Sequence, residues 1–290
     1  MAIAKYDGTD FLNLDALSAA VSIEYGRLNG ASSYYFLRIP RYDLNGRKVS
    51  PKVAITSANG SVDGTKVSAL TFAKREHTSI TINAGLFNMT TKKPEGQLVI
   101  NGVDRTVYKT DAQTGEQYAW MDDDMGTAIS DHECYPLLID AAGNLSCLSE
   151  DRTAAENQPA ALINAGYKYA VTGWGMLINN YTDDDLATDE IVHQVPHIRQ
   201  IIGQYQNGDY FVFCNDRTGY HGATAPQTNE AGANYTDLAT FLIGRGVKFA
   251  YSLDGGGSTE TVLGKRQVNP IFDNTTGRLV PTVIYWSADE

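Results

Sequence analysis

The stretch Ala250–Val262, AYSLDGGGSTETV, decides how this chain is read. A hydrophobic run stops at Asp254, three glycines follow, and Ser258 and Thr259 come next. Glycine triplets cost backbone entropy on folding and pack nothing, so something must need the bare backbone. Just upstream, GDYFVFCND (208–216) reads as a strand, NYTDLATFLIGRG (234–246) as a helix with Thr236 at its N-cap, and VKFAYSLD (247–254) as the next strand. Strand, helix and strand at this length predict a right-handed crossover joining two parallel strands. Asp254 would then stand at the carboxyl end of a parallel strand, where open sheets place their ligands. Gly255, Gly256 and Gly257 would turn consecutive N–H groups toward one spot, a nest suited to phosphate, with Ser258 and Thr259 adding hydroxyls. A tight turn is the plain alternative. The loop is not a nucleotide P-loop, because no Gly-Lys-Ser/Thr closes it.

The rest of the chain repeats this grammar. VSALTFAKREH (67–77) predicts a helix running into TSITINAGLFN (78–88), a β-branched strand that ends at Asn83 with Gly85 just beyond. YYFLRI (34–39) and GQLVINGV (96–103) read as strands with turns, and YPLLIDAAGNLSCL (135–148) and GMLINN (175–180) as hairpins. LDALSAAVSIEYG (14–26) has helical apolar spacing and a glycine stop. The expected architecture is α/β (α+β): one domain over 46–290 on a mixed β-sheet flanked by helices, with 1–45 as a peripheral N-terminal segment.

Composition narrows the function. The 290 residues carry a net charge of −11 and are 42% hydrophobic, an ordinary globular mix. No Lys/Arg cluster offers the basic patch that nucleic-acid binders show. No apolar run approaches the roughly 18 residues of a membrane span, and the first fifteen residues lack the apolar core of a secretion signal. Three cysteines without a CxxC spacing argue against a disulfide framework and a thiolate zinc site. His193 and His197 lie four apart, but Pro196 between them breaks a helical zinc pair. The acidic runs MDDDM (121–125) and YTDDDLATDE (181–190) could hold calcium, yet neither has EF-hand spacing. No cofactor is expected.

Polar residues stand where other apolar strands begin or end: Asn83 and Gly85, His197 and Arg199, then Asn215, Asp216 and Arg217. The segments Asn83–Phe87, Pro94–Gly102, Arg199 to Gly203, Asn215–Arg217 and Leu253–Ser258 resemble, in order, the motifs of the phosphodiester glycosidase family. Ala84 stands where the family has a glycine, and Asp216-Arg217 lacks an intervening one. The resemblance spans 67 to about 286 and implies hydrolysis of a sugar C1–O–P linkage, releasing sugar and a phosphomonoester. A phosphate leaving group is a weak base, so protonating it matters less than in ordinary glycoside hydrolysis. On this reading Asp254 is the general base or nucleophile, with Asp216 second. Gly255, Gly256, Gly257, Ser258 and Arg199 take the phosphate. Asn83 holds sugar hydroxyls or orients the carboxylate, Gly85 lies beside it at the substrate, and Arg217 and His221 stand in support. The expected partner is a glycan or a phosphodiester-linked polysaccharide. The alternative is a non-catalytic carbohydrate-binding module, such as a phage tail protein gripping a teichoic-acid-like polymer.

Overall fold

A computed structural model describes residues 15–28, 32–110, 112, 115, 117–119, 135–148, 158–183, 196–216, 232–270 and 277–287. In chain order they form β1 (Ser22–Leu28), β2 (Ser32–Ile39), β3 (Lys52–Ile55), α1 (Ala69–Glu76), β4 (Ile80–Asn83), β5 (Leu98–Ile100) and β6 (Val103–Asp104). Next come β7 (Tyr108–Thr110), β8 (Gln117–Ala119), β9 (Leu137–Asp140), β10 (Leu145–Cys147), α2 (Pro159–Asn164), β11 (Tyr167–Val171), β12 (Gly175–Asn179) and β13 (Thr182–Asp183). The last elements are β14 (Gln200–Tyr205), β15 (Tyr210–Asn215), α3 (Tyr235–Ile243), β16 (Val247–Ser252), β17 (Thr261–Leu263), β18 (Arg266–Gln267) and β19 (Thr282–Trp286).

Three sheets carry the fold. The largest has the order β1-β2-β15-β14-β16-β12-β13; the others are β10-β9-β11-β5-β6 and β18-β17-β4-β19-β3. All three turn one face into a shared core. Leu37, Ile202, Val212 and Tyr251 come from the first sheet, Leu98, Ile139 and Val171 from the second, and Ile82, Ile284 and Trp286 from the third. The outer face of the large sheet is covered by α3, whose Leu238 and Leu242 cluster with Phe36, Phe211, Phe213 and Ala250. Helix α1 covers the third sheet through Ala69, Phe72 and Ala73, and α2 covers the second through Leu162. This is an α+β arrangement in which helices cap sheets that already share a core.

Local chemistry explains the helices. The Ser68 hydroxyl accepts from the Thr71 N–H at the start of α1, and His77 ends the helix in the left-handed region at φ 53°. The start of α3 is capped by Asn234, whose side chain accepts from the Asp237 N–H. Thr236, the expected cap, lies inside the first turn instead.

Two expectations change. Residues 14–26 were expected to be helical; among the described residues they form a short 3-10 turn, Ser18–Ala20, and then β1. Ile23 and Tyr25 are strand formers, and β1 pairs antiparallel with β2 from Ser22↔Arg38 to Leu28↔Ser32. Gly26 is what lets the Tyr34 ring close over the pair. The N-terminal segment is also part of the main sheet, because β2 pairs with β15 and buries Leu37 and Ile39 fully. The two strands that α3 joins, β15 and β16, run in the same direction as expected, and they are not neighbours. Strand β14 lies between them, antiparallel to both. A helical crossover does not reveal that a third strand fills the gap it spans.

Candidate active site

Antiparallel pairing gathers chain ends. The carboxyl ends of β15 and β16 lie beside the amino ends of β14, β2 and β12. The same end receives the third sheet, where β4 finishes at Asn83 beside the start of β17. Residues 253–260 cross from the large sheet to the third one, and 172–174 cross from the second sheet to the large one. These crossings bring Asn83, Arg199, Asn215, Asp216 and Asp254 to one end of the molecule.

Asn83 holds the 254–260 crossing at both ends. Its side-chain Nδ2 donates to the Asp254 carbonyl at 2.7 Å, and its Oδ1 accepts from the Glu260 N–H at 3.1 Å. Its own N–H donates to the Glu260 carbonyl. Asn83 is 1% exposed, so it shapes the loop rather than meeting sugar hydroxyls. The Asp254 N–H donates to the Ala84 carbonyl at 3.0 Å. Both backbone groups of Asp254 are thereby fixed, while its residue surface stays partly exposed.

Asn83→Ala removes a donor and an acceptor from buried backbone groups and is expected to lower the unfolding free energy by about 1–3 kcal/mol. Asn83→Asp keeps the acceptor for Glu260 but sets an oxygen against the Asp254 carbonyl, so it should not restore stability. Urea unfolding of the two variants decides the point; wild-type stability in either would remove Asn83 as the clamp.

Of the N–H groups expected to form a nest, that of Gly256 is taken by the fold. The Gly256 N–H donates to the Ile198 carbonyl at 2.9 Å, while Ser258 and Thr259 donate to the Gly255 and Gly256 carbonyls, closing a 3-10 turn. Those N–H groups are spent within the fold. A Cβ on Gly255 would lie 2.5 Å from the Ile198 carbonyl oxygen, and Gly256 sits at φ +57° under the imidazole of His197. The bare backbone is needed by another backbone, the lead into β14. The Thr259 hydroxyl is buried without a partner, so it offers no outward donor. Gly85 likewise serves packing: a Cβ there would meet the Thr172 carbonyl at 2.6 Å.

Arg199 is 5% exposed and sits directly behind Gly255. Its guanidinium lies 4.0 Å over the Tyr235 ring and donates to the Tyr235 hydroxyl at 3.1 Å and the Ala233 carbonyl at 3.4 Å. Tyr235 is held in turn by the Ser252 hydroxyl at 2.7 Å. The fully buried Asn215 accepts from the Arg199 N–H and donates to the His197 carbonyl and the Ser32 hydroxyl. A buried guanidinium stacked on an aromatic face is a preorganised cation.

Asp216 belongs to a clasp between strands. Its N–H donates to the Ser33 carbonyl, and its carboxylate accepts from the Ser33 N–H at 3.1 Å. Burial pushes its carboxyl above the usual range, against the pull of those Ser33 bonds. It stands two strands from Asp254, roughly 10 Å across the sheet, and its bonds tie β15 to β2. Arg217 and His221 lie outside the described residues, as do most positions of the two acidic runs. Among the described residues, no group of three or more His, Cys, Asp or Glu is placed to hold a metal.

Several residues at this end were given no role from sequence. The exposed His197 stands over Gly256. The Trp174 N–H donates to the Ser252 carbonyl, two residues before Asp254. Arg278 Nη1 donates to the Ser258 hydroxyl at 3.2 Å and approaches the Met89 sulfur at 3.8 Å. Glu260 is 2% exposed; one carboxylate oxygen accepts from the Ala69 N–H at the start of α1 and the other has no partner. Burial pushes its carboxyl up to about 7. Of these only His197 carried a sequence signal, through its place at a strand entry. Chemically, the arrangement joins a partly exposed carboxylate with a locked backbone to a buried guanidinium and a second one at the rim.

Known proteins share this fold. The catalytic domain of zebrafish N-acetylglucosamine-1-phosphodiester alpha-N-acetylglucosaminidase, auto-inhibited by pro-peptide, superposes with a TM-score of 0.60 at 19% identity, covering 93% of this chain and 82% of that one. A hypothetical protein from Synechocystis gives a TM-score of 0.59 at 15% identity, covering 91% of this chain and 61% of that one. No curated protein matches the sequence. Residues 76–286 match the family model described as phosphodiester glycosidase. That match takes in well over half of the 290 residues, with Asn83, Arg199, Asp216 and Asp254 among them, and the chain therefore belongs to the phosphodiester glycosidase family.

Proposed function

We propose that this protein hydrolyses the C1–O bond of a sugar-1-phosphodiester in a glycan or cell-wall polymer, a GlcNAc-1-phosphodiester being the model substrate. The observation that carries this reading is Asp254: its backbone is locked by Asn83 and Ala84, its residue is partly exposed, and the Arg199 backbone abuts the next residue, Gly255. A carboxylate so placed can activate water or attack C1 itself. The bond between C1 and the bridging oxygen breaks, the oxygen leaves with the phosphomonoester, and the sugar gains the hydroxyl of water. Because the phosphomonoester leaves as a stable anion, binding that anion matters more than protonating it. The glycine run contributes by seating Asp254 and Ser258 against β14.

The test is incubation with a synthetic GlcNAc-α-1-phosphodiester and a panel of other sugar-1-phosphodiesters, followed by detection of free reducing sugar and phosphomonoester. Release of both in equal amounts supports the proposal. Saturable binding of these compounds without release would instead support a module that grips such polymers without cutting them.

A further inference from the structure

We infer that Arg278 supplies the cationic arm that reads the phosphoryl oxygens of the substrate, an inference that rests on the hydrolytic reading above. Arg278 lies just before β19, remote in sequence from the glycine run, yet its guanidinium reaches Ser258 at 3.2 Å. Ser258 is 1% exposed, whereas Arg278 is partly exposed. The pair therefore places a charged fork at the surface above a buried hydroxyl. Met89, 48% exposed, brings its sulfur to 3.8 Å from the same nitrogen.

The position of Arg278 is built in. Its neighbour Gly277 takes φ +81°, and a Cβ there would lie 2.7 and 2.8 Å from the two carboxylate oxygens of Glu260. The Glu260 carboxylate is anchored by the Ala69 N–H, and its backbone N–H by the side-chain oxygen of Asn83. One Glu260 oxygen stays unpartnered, and Arg278, the residue after Gly277, reaches Ser258. Arg199, by contrast, is buried against Tyr235 behind the loop. Of the two arginines, Arg278 is the one at the rim, and the planar guanidinium fork suits paired phosphoryl oxygens.

The probe is inorganic phosphate, titrated calorimetrically into the full chain and used as an inhibitor of sugar-1-phosphodiester hydrolysis. Arg278→Ala should weaken phosphate binding and inhibition about 10-fold or more. Arg278→Lys should recover part of that loss, since lysine keeps the charge but not the fork. Arg75→Ala, which removes a surface partner of Glu76, should match wild type. Unfolding temperatures in phosphate-free buffer separate lost binding from lost fold. Phosphate binding by a folded Arg278→Ala equal to wild type overturns the inference, as does wild type failing to bind phosphate at all. If wild type binds phosphate through Arg278 but cleaves no sugar-1-phosphodiester, the hydrolytic reading fails and the anion site stands.

Discussion

Asp254→Asn is expected to lower kcat/KM for sugar-1-phosphodiester hydrolysis by about 10²–10⁴-fold, the range for removing a positioned acid or base, while thermal unfolding stays near wild type. The two halves of this expectation have separate origins. The fold uses the backbone of Asp254, which Asn83 and Ala84 hold, and Asn keeps both bonds. The reaction uses the carboxylate, which Asn lacks. Steady-state kinetics beside a thermal scan checks both. Activity within a few-fold of wild type would move the chemistry away from Asp254, with Asp216 the next carboxylate along the strand ends. A large loss of stability would mean that the side chain, and not only the backbone, belongs to the scaffold.

The second large effect concerns Glu260 and is thermodynamic. Burial raises its carboxyl from 4.5 to about 7, against the lowering pull of the α1 N–H groups. The folded protein thus holds this proton more tightly than the unfolded chain does, so the stabilising contribution is full below about pH 4.5 and is lost as pH rises through about 7. At 1.36 kcal/mol per pH unit the difference amounts to about 3 kcal/mol. Glu260→Gln keeps an oxygen for the Ala69 N–H and carries no charge to desolvate. Urea unfolding at pH 5, 6.5 and 8 should show wild type losing stability across the series and the variant losing less. The variant should overtake wild type at pH 8. Parallel profiles would show that Glu260 does not titrate in this window.

How much of this was legible in the sequence follows from which forces are local. The segment 67–77 marks α1, and the β-branched run ending at Asn83 marks β4, because helical spacing and strand propensity act over a few residues. The family motifs likewise led to Asn83, Arg199 and Asp254, which the fold does bring to one end. The misreadings came where a distant partner decides. Residues 22–28 extend because β2 offers a seven-residue ladder, and β14 lies between β15 and β16, which the crossover alone does not show. Packing gives one reason for the glycine run that the sequence did not show: Gly255 is bare because the Ile198 carbonyl occupies the place of its Cβ. Arg278 and Glu260 gave no sequence signal at all. A lone arginine after a glycine and a lone glutamate after two hydroxyl residues become informative only once Ser258, Gly277 and the start of α1 surround them.

Cleavage in ¹⁸O-water of a GlcNAc-α-1-phosphodiester tests the central claim most directly, because it reports which bond breaks. Attack at C1 places the label in the hydroxyl of the released sugar and leaves the phosphomonoester unlabelled, as read by mass spectrometry of both products. Label in the phosphomonoester would show attack at phosphorus, and would contradict a glycosidase built around Asp254.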